Sequence, residues 1–137
     1  MEREQLQREV AALRSEALDL RTRDAFSKMK IATLTAQDEA YAKAAAVVVW
    51  DAGKQRGIIK LHNFPRAAAG KDYQLWVIDP NYPQPVSAGL VRVGDDGAAR
   101  VEFAPEHTVR SADKFALSIE REGGSPAGAE PIVVLGN

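Results

Sequence analysis

The sequence contains no cysteine, and that absence removes disulfides, thiolate metal sites and cysteine nucleophiles together. No apolar run approaches the roughly 18 residues that a membrane-spanning helix needs, and no signal peptide opens the chain. Excess charge is missing too. Eighteen Lys and Arg stand against nineteen Asp and Glu, a net charge of −1. The balance is even along the chain, with seven basic and six acidic residues in 1–36 and eleven and thirteen beyond. Such a balance gives no footing for nucleic acid or for an anionic membrane surface. Histidine is scarce: His62 and His107 stand alone, neither with a carboxylate at metal-ligand spacing. Each reads as an exposed or structurally satisfied side chain.

Catalytic patterns are equally sparse. Serines 15, 27, 87, 111, 118 and 125 lack a G-x-S-x-G setting. Gly123-Gly124 is not followed by the glycines or the Gly-Lys-Ser/Thr of a phosphate loop. Asp95-Asp96, bracketed by Gly94 and Gly97, is turn chemistry rather than a carboxylate pair. Asp51 and Asp79 each end an extended run, where Asp caps a turn, and no acidic loop has the ligand density of a calcium site. The expectation is a protein with no catalytic set, no metal and no cofactor, and so not an enzyme.

What is present divides the chain at about residue 27. Residues 2–24 hold no Gly or Pro and are rich in Glu, Gln, Leu, Arg and Ala, which predicts a helix. Leu6, Val10, Leu13, Ala17 and Leu20 recur at alternating intervals of four and three, the seam of a coiled coil, which ends as the register reaches Asp24 and Ser27. Early Glu2, Glu4 and Glu9 and late Arg21 and Arg23 suit the helix dipole. The seam leaves three uses open: pairing in a homodimer, packing on the rest of the chain, or belonging to a longer juxtamembrane helix.

Residues 28–137 read as one β domain. Extended runs are predicted at Lys28 to Thr35, Ala44 to Trp50, Ile58 to Phe64, Tyr73 to Asp79, Ala88 to Val93, Arg100 to Phe103, Phe115 to Glu120 and Ile132 to Leu135. The densest, Tyr73-Gln74-Leu75-Trp76-Val77-Ile78, reads as a strand buried on both sides, stopped by Asp79-Pro80. Phe115, Leu117 and Ile119 alternate with Ala116, Ser118 and Glu120, the pattern of a half-buried strand. Gly94-Asp95-Asp96-Gly97 predicts a hairpin between its flanking runs, and 123–128 a flexible loop. About eight short strands without βαβ alternation predict a mainly β fold, an antiparallel β-sandwich or barrel. Trp50, Tyr73 and Trp76 are expected in or beside its core. Tyr82, in the proline-rich corner, is the candidate contact for a ligand.

Several blocks together carry a family resemblance. Val49-Trp50-Asp51, then Tyr73-Gln74-Leu75-Trp76-Val77-Ile78, Ser87-Ala88-Gly89-Leu90, Phe115-Ala116-Leu117-Ser118-Ile119-Glu120, Gly123-Gly124-Ser125-Pro126 and Pro131-Ile132-Val133-Val134-Leu135-Gly136 follow one another in that order. The sequence thereby resembles, over roughly 29–137, the C-terminal domain of anti-sigma-K-type factors. The resemblance implies a bacterial membrane-bound regulator. In it a cytoplasmic region sequesters an extracytoplasmic-function sigma factor, one membrane helix follows, this domain lies outside, and proteases release the sigma factor. Neither the sigma-binding region nor the membrane helix is in the sequence, which suggests a fragment starting just past the membrane. The alternative is a stand-alone β-sandwich module that binds a cell-envelope glycan or peptide.

Overall fold

The computed structural model describes residues 2–127 and 131–137 and, within them, all side chains except those of residues 2 and 21–27. Gly128, at the end of the expected loop, lies outside the described residues. Among the described residues one helix, α1 (Glu2–Ser27), precedes eight strands: β1 (Met29–Ala36), β2 (Ala45–Asp51), β3 (Arg56–His62), β4 (Lys71–Ile78), β5 (Val86–Val91), β6 (Ala99–Phe103), β7 (Lys114–Arg121) and β8 (Ile132–Gly136). A 3-10 turn, Glu39–Tyr41, sits between β1 and β2, with the Ala40 amide donating to the Asp38 carboxylate at 3.0 Å as its cap. The uninterrupted run of helix formers carries α1 on to Ser27, past the predicted end. Its last turn holds no basic residue, since Arg21 and Arg23 precede that turn in the chain.

The strands are antiparallel and form one sheet in the order β5-β4-β7-β8-β1-β2-β3-β6. The sheet rolls so that its two halves face each other and its edge strands β5 and β6 approach, leaving it nearly closed. The expected hairpin across Gly94–Gly97 is therefore corrected. That segment does turn tightly, with the Gly97 and Gly94 amides donating to the Gly94 and Ala98 carbonyls at 3.0 Å. Yet β5 ladders onto β4 and β6 onto β3. The turn instead spans the gap between the two sheet edges and is docked to the end of β3, where the Phe64 amide donates to the Gly97 carbonyl at 3.0 Å. Turn chemistry specifies a reversal of the chain but not which ladder each arm joins.

Between the halves lies the core, in which Leu34, Val48, Ile59, Leu61, Leu75, Leu117 and Val134 are buried. Trp50 stacks on Phe103 with ring centres 6.0 Å apart and planes 10° apart, and tilts against Phe115 at 6.3 Å. At the other end Tyr41, Phe64 and Tyr73 form a triangle with centre distances of 5.6 to 6.2 Å. Tyr73 donates to the Pro65 carbonyl at 2.6 Å and meets the Tyr41 hydroxyl at 3.1 Å. Burial first, then the Tyr41 bond and charge, push the Tyr73 phenol well above its ordinary pKa, so it stays a neutral donor.

Helix α1 contributes nothing to this core through its described side chains. Every residue from Arg3 to Leu20 is exposed, the seam included. No helix among the described residues is long and apolar enough to cross a membrane.

Candidate functional site

Strand β4 is buried on both faces, from Asp72 through Val77. Its inward face, Tyr73, Leu75 and Val77, belongs to the core; its outward face, Asp72, Gln74 and Trp76, is polar-edged and equally covered. The same holds for β7, where Ala116, Ser118 and Glu120 are buried along with Phe115 and Leu117. The half-buried strand read from the alternation is thus corrected: both faces of β7 are covered. The ladder explains why. Gln74 lies opposite Ser118, Asp72 opposite Glu120 and Trp76 opposite Ala116, so the large Trp76 ring and a loop packed on top shield one continuous outer patch.

The loop is residues 122–127, held by two side chains of β4, Gln74 and Asp72. Gln74 donates from Nε2 to the Ser125 carbonyl at 2.9 Å and to Ser87 Oγ at 2.8 Å, and accepts from the Ser125 amide at 2.8 Å. Asp72 accepts from the Gly123 amide at 3.0 Å and faces Arg92 at 3.4 Å. Trp76 donates from Nε1 to Ser118 Oγ at 2.8 Å, and Ser118 donates in turn to Glu120 Oε2 at 2.5 Å. Glu120 is 0 % exposed, and its Oε1 has no hydrogen-bond partner among the described residues. Gly124 shows why the loop carries glycine there. Its φ is +90°, and a Cβ would stand 2.9 Å from Gln74 Oε1 and 3.1 Å from the Leu90 side chain.

Most of the motif residues therefore converge. Gln74, Trp76, Ser87, Gly123, Gly124 and Ser125 build this covered face, with Leu90 at its rim. Ala88 and Gly89 form a bulge in β5 opposite Leu75, and Pro126 is exposed beyond the loop's anchor. Trp50, Tyr73 and Leu75 lie elsewhere, in the core. Ser118 and Glu120 complete the cluster, although alternation alone assigns them to a wet face. The sequence signal that marks them is their position opposite Gln74 and Asp72, visible only once the strand order is known.

The aromatic residues do not form a platform. Trp50 and Tyr73 sit at opposite ends of the core and Trp76 on the outer face. Tyr82 stacks on His107 with centres 6.0 Å apart and donates to the Thr108 carbonyl at 2.6 Å, clasping the 79–85 corner to the 105–113 connection. Asp79 holds the same junction. Its oxygens accept from the Asn81 amide and side chain at 2.8 Å and from the Arg110 and Ser111 amides at 3.0 and 3.3 Å. Burial alone would raise its pKa, but these donated hydrogen bonds outweigh burial and hold the carboxyl below the usual range.

Two further surface features are open. A cleft of about 760 Å³ beside the Gly94–Gly97 turn is lined by charges of both signs, among them Glu39, Lys43, Arg66 and Asp95. The outer face of β1–β3 carries Ile31, 71 % exposed, beside Val47 and Val49. No cluster of three or more metal-ligating side chains occurs among the described residues.

The polar groups brought together here bond to one another and to a loop's backbone, which defines a strapped β roll whose buried polar cluster serves the fold. The chain belongs to the family described as anti-sigma-K factor rskA, C-terminal, which matches residues 5–132. That family is one of anti-sigma factors, regulatory proteins whose partner is a sigma factor. No curated protein and no solved structure matched the chain.

Proposed function

We propose that this chain is the extracytoplasmic regulatory domain of a membrane-anchored anti-sigma factor. The parent holds an extracytoplasmic-function sigma factor through a cytoplasmic region and releases it by regulated proteolysis. The observation that carries this reading is the family match over 5–132, which takes in both α1 and the rolled sheet. The motif blocks support it from the residues, since the loop at Gly123–Pro126 is seated on Gln74 rather than left as a free connection. In this role the roll governs access of membrane proteases to the segment before it, and α1 lies in the juxtamembrane position between anchor and roll. Tyr82 adds no weight to a glycan- or peptide-binding reading, because its hydroxyl and ring are engaged within the fold.

The test is an immunoblot of fractionated cells with an antibody against this domain, paired with transcript profiling after deletion of the parent gene. The reading expects a membrane-bound band well above 14.9 kDa and increased expression of one sigma-factor regulon. A soluble band near 14.9 kDa with no transcriptional change would reject it.

A further inference from the structure

Helix α1 presents an apolar seam that nothing among the described residues covers. Leu6, Val10, Leu13 and Leu20 are 61, 46, 65 and 63 % exposed, and Ala17 is exposed with them. The residue types say what fits. Leu6, Leu13 and Leu20 stand seven apart, and Val10 and Ala17 stand seven apart between them. Writing the leucines as heptad position d places Val10 and Ala17 at a. Leucine at d with a β-branched residue at a is an arrangement that favours two parallel strands.

The flanking charges fix direction. Position g is Glu in three heptads, at 2, 9 and 16, while position e is Gln7, Arg14 and Arg21. A parallel, in-register pair sets each g against the e five residues later on the other helix. Glu9 then meets Arg14 of a second copy, and Glu16 meets Arg21. An antiparallel pair sets g against g and e against e, so Glu faces Glu and Arg faces Arg. Arg3 and Asp24 occupy the next a positions outward, where like charges would meet in register and confine the pairing to residues 6–20.

We propose that α1 pairs with the same helix of a second copy of this chain as a short, parallel, in-register coiled coil. Both β rolls then hang from one end of the coil and both N-termini lie together at the other. The interface is small, little more than two heptads, so association is weak and concentration-dependent. The proposal rests on the helix alone and stands whether or not the parent is an anti-sigma factor.

The absence of cysteine makes a direct test possible in the full chain. Leu6→Cys and Leu20→Cys chains, tagged to differ in size, are oxidised separately and as a mixture. The proposal expects each variant to cross-link to itself and the mixture to yield little 6-to-20 product. A dominant 6-to-20 product would mean antiparallel pairing and would overturn it. Sedimentation equilibrium supplies the second arm. Glu9→Arg should weaken dimerisation about tenfold or more, corresponding to roughly 1.4 kcal/mol, and adding Arg14→Glu to it should restore the dimer. A monomer throughout the concentration series, a trimer, or an indifferent response to Glu9→Arg would each reject the proposal. Near-ultraviolet circular dichroism from Trp50 and Trp76, both within the roll, verifies that every variant remains folded.

Discussion

Gly57 stands where a side chain has no room. A Cβ there would collide with the Val49 carbonyl oxygen and lie 2.7 Å from Phe103 Cζ. The position pairs with Trp50 on one side and Phe103 on the other, so the two rings stack across the gap that glycine leaves. Gly57→Ala must displace β-sheet backbone or break that stack, and overpacking of this kind costs about 1–3 kcal/mol. Thermal unfolding should show a midpoint lowered by about 5 °C or more; an unchanged midpoint would mean the sheet yields there without loss. Asp79 gives a prediction in pH. Because its folded pKa is depressed, its stabilising contribution is fully present above the unfolded carboxyl value of about 3.9 and is lost as pH falls through the lower folded value. Asp79→Asn should therefore melt below the unsubstituted chain at neutral pH, with the gap narrowing below about pH 4. A gap that stayed constant to pH 2 would show that the charge of Asp79 plays no part.

At the scale of elements, the loop 122–127 is the piece whose stability hangs on few bonds. Gln74 supplies two of its hydrogen bonds, both to Ser125, and Asp72 supplies one, to Gly123. Gln74→Ala removes the Ser125 pair and the bond to Ser87, and opens space beneath Gly124. We expect a cost of about 2–3 kcal/mol, concentrated in the loop. Hydrogen exchange at Ser125 should accelerate far more than at the β4–β7 ladder. Equal acceleration of both would show that loop and ladder open as one unit. This element also marks the limit of what the sequence discloses. The apolar density of Tyr73–Ile78 predicts a strand covered on both sides, and β4 is one. The alternation in β7 predicts one wet face and is misleading, because the cover comes from a loop that closes back over its own strand and over β4. Alternation reports which side chains share a face, whereas burial of that face depends on what the chain later lays across it. The Gly94–Gly97 turn fails for a related reason: local turn signals carry no information about a ladder set by β3 and β4.

At the scale of the whole molecule, the expectation is that helix and roll are energetically separable. The described side chains of α1 are exposed from Arg3 to Leu20, whereas the core draws on residues from β1 to β8 and their connections. Heptad spacing discloses the helix from the sequence, and the strand runs disclose the roll, but neither local pattern carries information on how the two relate. A chain beginning at Lys28 keeps the Lys28 carbonyl that accepts from the Ala52 amide at 3.0 Å, and so keeps the closure of the β1–β2 end. Loss of residues 1–27 should shift stability by no more than about 0.5 kcal/mol, as surface changes do. A coil-forming helix adds one distinguishing feature. If pairing in α1 is coupled to the roll, the melting midpoint of the full chain rises with concentration by mass action, while that of the truncated chain stays fixed. If the two are independent, helical ellipticity gains a separate, concentration-dependent transition below that of the roll. Melts of both chains over a wide concentration range, followed at the helical band and by near-ultraviolet dichroism, separate these cases. A truncated chain that melts many degrees lower at every concentration would instead place α1 among the elements that hold the roll together.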